Sequence, residues 1–264
     1  PAFTRDLEEA LEESPGNRAL WLAYASSLAA ADLFRESAGA AASARAAVGD
    51  DNHLILLEAV HASEARELDR AEGLFARLPE THPGRSGHEI RHRIRRKSFD
   101  HALKLADRAR EEEPWDVGAW AMTGLLWRLL EDGRAHWLHE QPGLVTSREL
   151  DLSPDELGRI ADCLRGLHRT RAHPIGQSLR GGTQTRGRLF ERDEPEVRLL
   201  RGAIERAVAS CWSGLPPADP THPLLRHRDG TPRFEGSWSV RLTDGGFHVA
   251  HVHPRGVLSS ACYL

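Results

Sequence analysis

His251 and His253 stand two residues apart in Phe247-His248-Val249-Ala250-His251-Val252-His253-Pro254. In an extended strand, residues i and i+2 share a face, so two imidazoles so placed can reach one metal ion. Strict alternation puts Val249, His251 and His253 on one face and His248, Ala250 and Val252 on the other. His248 is then a candidate for a hydrogen bond behind the ligands or for a substrate contact. Hydrogen-bonded structural histidines are the other reading of the same spacing.

The elements that must position this pair come before it. Gly236–Leu242 and Phe247–His253 read as two strands, joined by a turn at Thr243-Asp244-Gly245-Gly246, a hairpin signal. Upstream, Ser153 as N-cap, Pro154 at the first helical position and two acids in the first turn predict a helix from Pro154 to about His168. A second amphipathic helix is expected from Pro195 to Trp212, with Val197, Leu200, Ile204, Ala207 and Val208 on one side. Between them, the polar, glycine-rich run 173–185 suggests an extended loop or an edge strand. Trp238 is expected in the core.

The first half is rich in Ala, Leu, Glu and Arg and reads as helix. It also repeats. Phe3, Leu7, Ala10 and Pro15 recur 34 residues on as Ser37, Ala41, Ala44 and Gly49, then as Ala71, Phe75, Leu78 and Pro83. A fourth copy, Ala102, Ala106, Ala109 and Pro114, begins three residues early, and the deficit is assigned to Gly84–Ser98. This period and its small-residue face resemble the tetratricopeptide repeat. The companion first-helix signature is best at Trp120, Thr123, Gly124 and Trp127, with Thr and Trp replacing Leu and Tyr. A generic array of helical hairpins is the alternative, and either is an α-solenoid. The expected organisation is helical repeats over 1–130, a linker over 131–152 and a second domain over 153–264.

The formal net charge of −4 gives no argument for nucleic acid or an anionic membrane as partner. No run of about 18 apolar residues predicts a membrane span, and the first residues lack the apolar core of a signal peptide. Cys163, Cys211 and Cys262 form no CxxC pair, which suits ordinary thiols in a reducing cytoplasm. Most of the 15 histidines are scattered singly and read as solvated or capping side chains.

One long stretch carries more. Ser237-Trp238-Ser239-Val240-Arg241-Leu242-x-x-Gly245-Gly246-Phe247-His248-x-x-His251-x-His253-Pro254, with Leu258-Ser259-Ser260-x-x-Tyr263 after it, resembles a family of 2-oxoglutarate/Fe(II) oxygenases often fused to tetratricopeptide repeats. His173-Pro174-x-x-Gln177-Ser178-Leu179-Arg180-Gly181-Gly182-Thr183-Gln184-Thr185 is similar to that family's entry segment, and Trp137-Leu138-His139 to its connector. The resemblance covers about residues 130–264.

It implies an α+β multidomain protein: a tetratricopeptide-like α-solenoid followed by a double-stranded β-helix (jelly-roll) with Fe(II) at one end. His251 and His253 would be metal ligands and 2-oxoglutarate the cosubstrate, decarboxylated to succinate as a C–H bond is hydroxylated. A protein or peptide substrate would be recruited by the repeats, whose concave faces suit extended peptides. Tyr263 and Arg180 are candidates for the cosubstrate; a core tyrosine and a surface ion pair are their alternatives. Gln184, Thr185 and His248 are candidates for the substrate cleft, with local backbone capping as the alternative for the first two.

Two departures matter. His253 stands where that family usually has a carboxylate, which leaves a more positive ion, favours a dianionic cosubstrate and admits Zn2+ or Ni2+. Val257 stands where the family tends to have Trp. The late strands that supply the distal histidine and the cosubstrate's basic residue are expected to fall outside these 264 residues. Two other readings are a degenerate oxygenase fold that serves as an interaction module, and a structural Zn2+ site completed by His248 or Cys262.

Overall fold

A computed structural model of the chain describes residues 1–170 and 176–264. His173 and Pro174 of the expected entry segment lie outside the described residues. The described residues hold eleven α-helices and a small two-stranded antiparallel sheet, in two compact units, Pro1–Leu130 and Glu131–Leu264. No helix among them is long and apolar enough to cross a membrane.

The first unit contains α1 (Arg5–Glu13), α2 (Arg18–Ala30), α3 (Phe34–Val48), α4 (Asn52–Glu64), α5 (Leu68–Phe75), α6 (Arg85–Arg95), α7 (Phe99–Glu112) and α8 (Val117–Leu129). Each helix packs on the next; α4 also packs on α6, and α6 on α8. The starts of α2, α4 and α8 are capped by Asn17, Asp51 and Asp116, whose side chains accept from backbone N–H groups of the first turn. The stops repeat more strictly than the starts. Asp32, Arg66, Lys97 and Glu131 all have left-handed φ, between 55° and 65°, just after α2, α4, α6 and α8. After the first three, Leu33, Glu67 and Ser98 donate their N–H to the carbonyls of Leu28, Ala62 and Arg93, closing the last turn as a Schellman motif. The residues that serve this purpose are not glycines, so composition alone did not mark them. Most of the shortening has a visible origin: α2, α4 and α8 are 13 residues long, while α6, within the expected segment, has 11, which accounts for two of the three missing residues.

The repeated positions of the sequence form the packed face. Ser37, Ala41, Ala71, Phe75, Ala102 and Ala106 are wholly buried. Phe75 fills the space left by small neighbours, packing with Ala38, Ile55, Ala59, Ala62, Ala71, Leu74 and Leu78. The first copy departs. Ala2–Thr4 forms a 3-10 turn, so α1 begins only at Arg5 and the buried positions move to Thr4 and Leu11, leaving Phe3 exposed.

Polar groups also cross between these helices. Glu58, on α4 and buried, takes Arg45 from α3 and Arg70 from α5. Ser37 donates its hydroxyl proton to Ala25 O at 2.7 Å, so it accepts from His61 Nδ1 at 2.7 Å. Burial holds His61 down at about 4, with His88 a smaller cause. An unfolded histidine titrates near 6.5, so between about 6.5 and 4 the unfolded chain binds the extra proton. Stability from this group is therefore full above pH 6.5 and falls as pH drops toward 4, by up to about 3 kcal/mol. Urea midpoints of wild type and His61→Gln should converge over that window and differ most at neutral pH. A gap that does not change with pH would refute this.

The second unit contains α9 (Arg134–His139), α10 (Pro154–Leu167), β1 (Leu179–Gln184), α11 (Pro195–Ser213) and β2 (Val240–His248). The segment expected to be linker thus holds a short helix. Ser153 and Glu156 form a capping box at the start of α10. Helix α10 packs on α11, and Trp212, Leu215 and Leu225 form a core with Leu144 and Leu224. Buried His222 accepts from the N–H of Leu224 and of Leu225 at Nδ1, so its Nε2–H faces Leu138 O at 3.3 Å.

The expected hairpin is corrected. Residues on both sides of Thr243–Gly246 belong to β2 and pair with β1, not with each other: Val240, Arg241 and Leu242 oppose Gln184, Thr183 and Gly182, while Phe247 and His248 oppose Arg180 and Leu179. Thr243–Gly246 bulges out opposite Gly181. Glycine is needed there, because a Cβ on Gly246 would lie 2.0 Å from Gly181 O. The turn residues do turn, but within one strand.

Candidate functional site

The histidine end of β2 is the candidate site. The strand stops at His248, and Val249 makes one further backbone bond, N–H to Ser178 O at 2.8 Å. The strict alternation expected through His253 therefore ends five residues early, and His251 and His253 leave the sheet as extended chain. The two rings still meet, with centres 4.9 Å apart and planes at 86°. Two imidazoles bound to one ion at about 2.1 Å bring their ring centres to roughly 5 Å. His251 Nδ1 lies 2.8 Å from Val249 O, an acceptor only, so Nδ1 carries the proton and Nε2 keeps its lone pair. His251 is exposed. His253 is half-buried, its ring 5.5 Å from that of Trp238. Burial, then the neighbouring His251, lowers the pKa of His253, which keeps it neutral and able to ligate at pH 7.

His248 is closer to the pair than alternation allows. Once the chain leaves the strand, its ring lies 5.8 Å from that of His251, with Nδ1 3.0 Å from Ser178 Oγ. The histidines thus form a row, His248, His251, His253. Among the described residues no group of three or more His, Cys, Asp or Glu side chains is arranged to hold a metal ion. Cys262 is exposed and joins no such group.

The remaining candidates spread along the sheet. Arg180, opposite Phe247, is next to the histidine end, and its guanidinium donates to the carbonyls of Gln177 at 2.6 Å and Leu179 at 2.9 Å. Tyr263 is 91% exposed. Gln184, half-buried, pairs with Val240 at the other end of β1, about 16 Å from Leu179 at the usual strand rise. Thr185 is buried, and its hydroxyl accepts from Ser239 N–H at 3.0 Å, which ties it to the approach to β2. The structure brings together His248, His251, His253 and the backbone of Arg180; Gln184 and Thr185 belong to the far end.

Two contributors were not recognised from the sequence. Trp238, expected in the core, is 41% exposed and lies against His253. His168, the residue after α10, bridges Thr183 Oγ1 at 2.8 Å and Ser239 Oγ at 3.0 Å, joining β1 to the segment before β2. Burial, then Arg241, lowers its pKa. Its one sequence signal was its place at a helix C-cap, which many histidines share.

No protein-family model, no curated protein and no solved structure matches this chain.

Proposed function

We propose that the protein is a cytoplasmic 2-oxoglutarate- and Fe(II)-dependent dioxygenase that oxidises a C–H bond of a protein or peptide substrate, recruited by a tetratricopeptide-like array at residues 1–130. The observation that carries this reading is the His251–His253 pair, edge-on at 4.9 Å, with His251 Nε2 left open by the bond from Nδ1 to Val249. The left-handed stops after α2, α4, α6 and α8, 34, 31 and 34 residues apart, support the repeat half. A jelly-roll in the second unit fits the exposed apolar residues of its small sheet, Leu242 and Phe247, which a larger sheet would cover.

The residues present fit two ligand positions for Fe(II). His251 and His253 would hold it as neutral donors, and the third ligand is not among the described residues. When bound, Fe(II) with 2-oxoglutarate supplies O2 activation for C–H oxidation. This chain's own part is to orient His251 through Val249, to shelter His253 against Trp238, and to offer Arg180 and Tyr263 to a cosubstrate carboxylate. Arg180 would have to give up its two backbone carbonyls to do so. Of the substrate-cleft candidates only His248 lies beside the pair; Gln184 and Thr185, at the far end of β1, stand outside this cleft.

A degenerate oxygenase fold used for interaction is the second reading, favoured by the two-donor set. Succinate formation separates the two. With Fe(II), ascorbate, O2 and 2-oxoglutarate, the full-length wild type should release succinate even without substrate, and His251→Ala and His253→Ala should reduce it by at least about 100-fold, the cost of a lost ligand exceeding that of a residue behind it. Equal, background-level succinate from all three would leave the interaction module.

A further inference from the structure

We propose that the face shared by α6 and α8 docks an acidic peptide segment that carries an aliphatic side chain beside its carboxylates. This rests on the reading of the repeats as a polypeptide-binding array and names the chemistry of what they bind.

The charge is concentrated in one place. Arg85–Lys97 holds six Arg or Lys and one acid, whereas acids outnumber Arg and Lys on either side within residues 1–130. Most of these cations are already neutralised inside the array. Arg85 pairs with Glu89 at 2.7 Å, Arg93 with Glu72 and Glu89, Arg95 with Glu64, and Arg96 with Asp69 at 2.7 Å. Arg91 and Lys97 differ: both are exposed and make no ion pair among the described residues, and Lys97 lies at the left-handed stop after α6, away from the cavity wall.

Arg91 also borders a cavity of about 80 Å3 between α6, α7 and α8, whose wall includes Gly87, Ile90, Ala109, Gly118 and Met122. The acid in that wall, Asp116, is engaged in capping α8 through Ala119 N–H at 2.6 Å. One and two turns beyond Met122, Leu125 and Leu129 are 41% and 43% exposed, continuing an apolar stripe at i, i+3 and i+7. Arg128, on the same helix, is an exposed cation.

An unpaired guanidinium over an apolar cavity and an apolar stripe is complementary to a carboxylate next to an aliphatic side chain. It is poorly matched to a nucleic acid, which would find most of the cations already neutralised and aliphatic side chains where phosphates or stacking rings are needed.

The test is selection of a random dodecapeptide display library on the intact chain, followed by anisotropy of the selected peptides with a fluorescein label. Enriched sequences should place Asp or Glu beside Leu, Ile, Val or Met. Arg91→Glu should weaken them at least about tenfold and Leu125→Ser severalfold, while Arg5→Glu on α1 stays within roughly twofold. All three side chains are exposed, and circular dichroism checks that each variant folds. Neutral or basic winners, acidic winners insensitive to Arg91→Glu, or displacement by a uridine oligomer would each overturn the proposal while leaving peptide binding by the repeats in place. No enriched peptide at all would overturn both.

Discussion

Phe75→Ala is expected to destabilise the first unit by about 3–5 kcal/mol, the range for a large aromatic removed from a packed core. Phe75 is wholly buried, and its neighbours are mostly alanines, which have no side chain to move into the space it leaves. Its ring centre is 5.1 Å from that of His92, another fully buried group, held by Ser63 Oγ at 3.1 Å and Glu72 at 3.2 Å. The cavity would therefore open beside a hydrogen-bonded histidine linking α6 to α4 and α5. Urea denaturation followed by circular dichroism at 222 nm should show an early loss of helix in the variant. Phe75→Leu should recover more than half of the loss, since most of the volume returns. A Phe75→Ala midpoint within error of wild type would mean that the face read from the repeat does not form the core.

Gly182→Val is expected to unpair the sheet and take the histidine row with it. A Cβ at Gly182 would sit 2.5 Å from Arg241 O and 3.1 Å from Leu242 Cα, both backbone atoms that cannot rotate away. Among the described residues Val240–Leu242 and Phe247–His248 pair with β1 alone, so moving β2 off β1 removes the frame that delivers His251 and His253. Hydrogen exchange should show loss of amide protection over 179–184 and 240–248 with α10 and α11 unchanged. Metal affinity should fall at least about tenfold, the scale set by disturbed ligand orientation. Gly158→Ala is the control: a Cβ there meets nothing within 4 Å, so helix α10 should gain about 0.5–1 kcal/mol and metal affinity should not move. Retained strand protection in Gly182→Val would show that the pairing does not depend on this close approach.

The helices were legible because their signals are local. Ser153-Pro154 starts α10, Pro195 starts α11, and the small residues at Ser37, Ala71 and Ala102 lie in the buried face that the 34-residue spacing implied. The strands were legible, β1 within the run 173–185 and β2 within 236–253, but their pairing was not, because it joins residues about sixty positions apart and a turn sequence such as Thr243–Gly246 reports a reversal without naming the partner. The two histidines were legible as a pair by spacing. Their surroundings were not: β2 stops at His248 where its last bond reaches Ser178, so His248 comes near His251 and Trp238 covers His253. The left-handed stops were hidden too, since Asp32, Arg66, Lys97 and Glu131 share a conformation and no chemistry.

Whether His251 and His253 hold iron is decided first by an anaerobic titration of the full-length protein with Fe(II) and 2-oxoglutarate, followed in the visible region. A metal-to-cosubstrate charge-transfer band is expected in the wild type and should be lost in His251→Ala and in His253→Ala. No band in the wild type, or a band that survives both substitutions, would contradict iron binding by this pair.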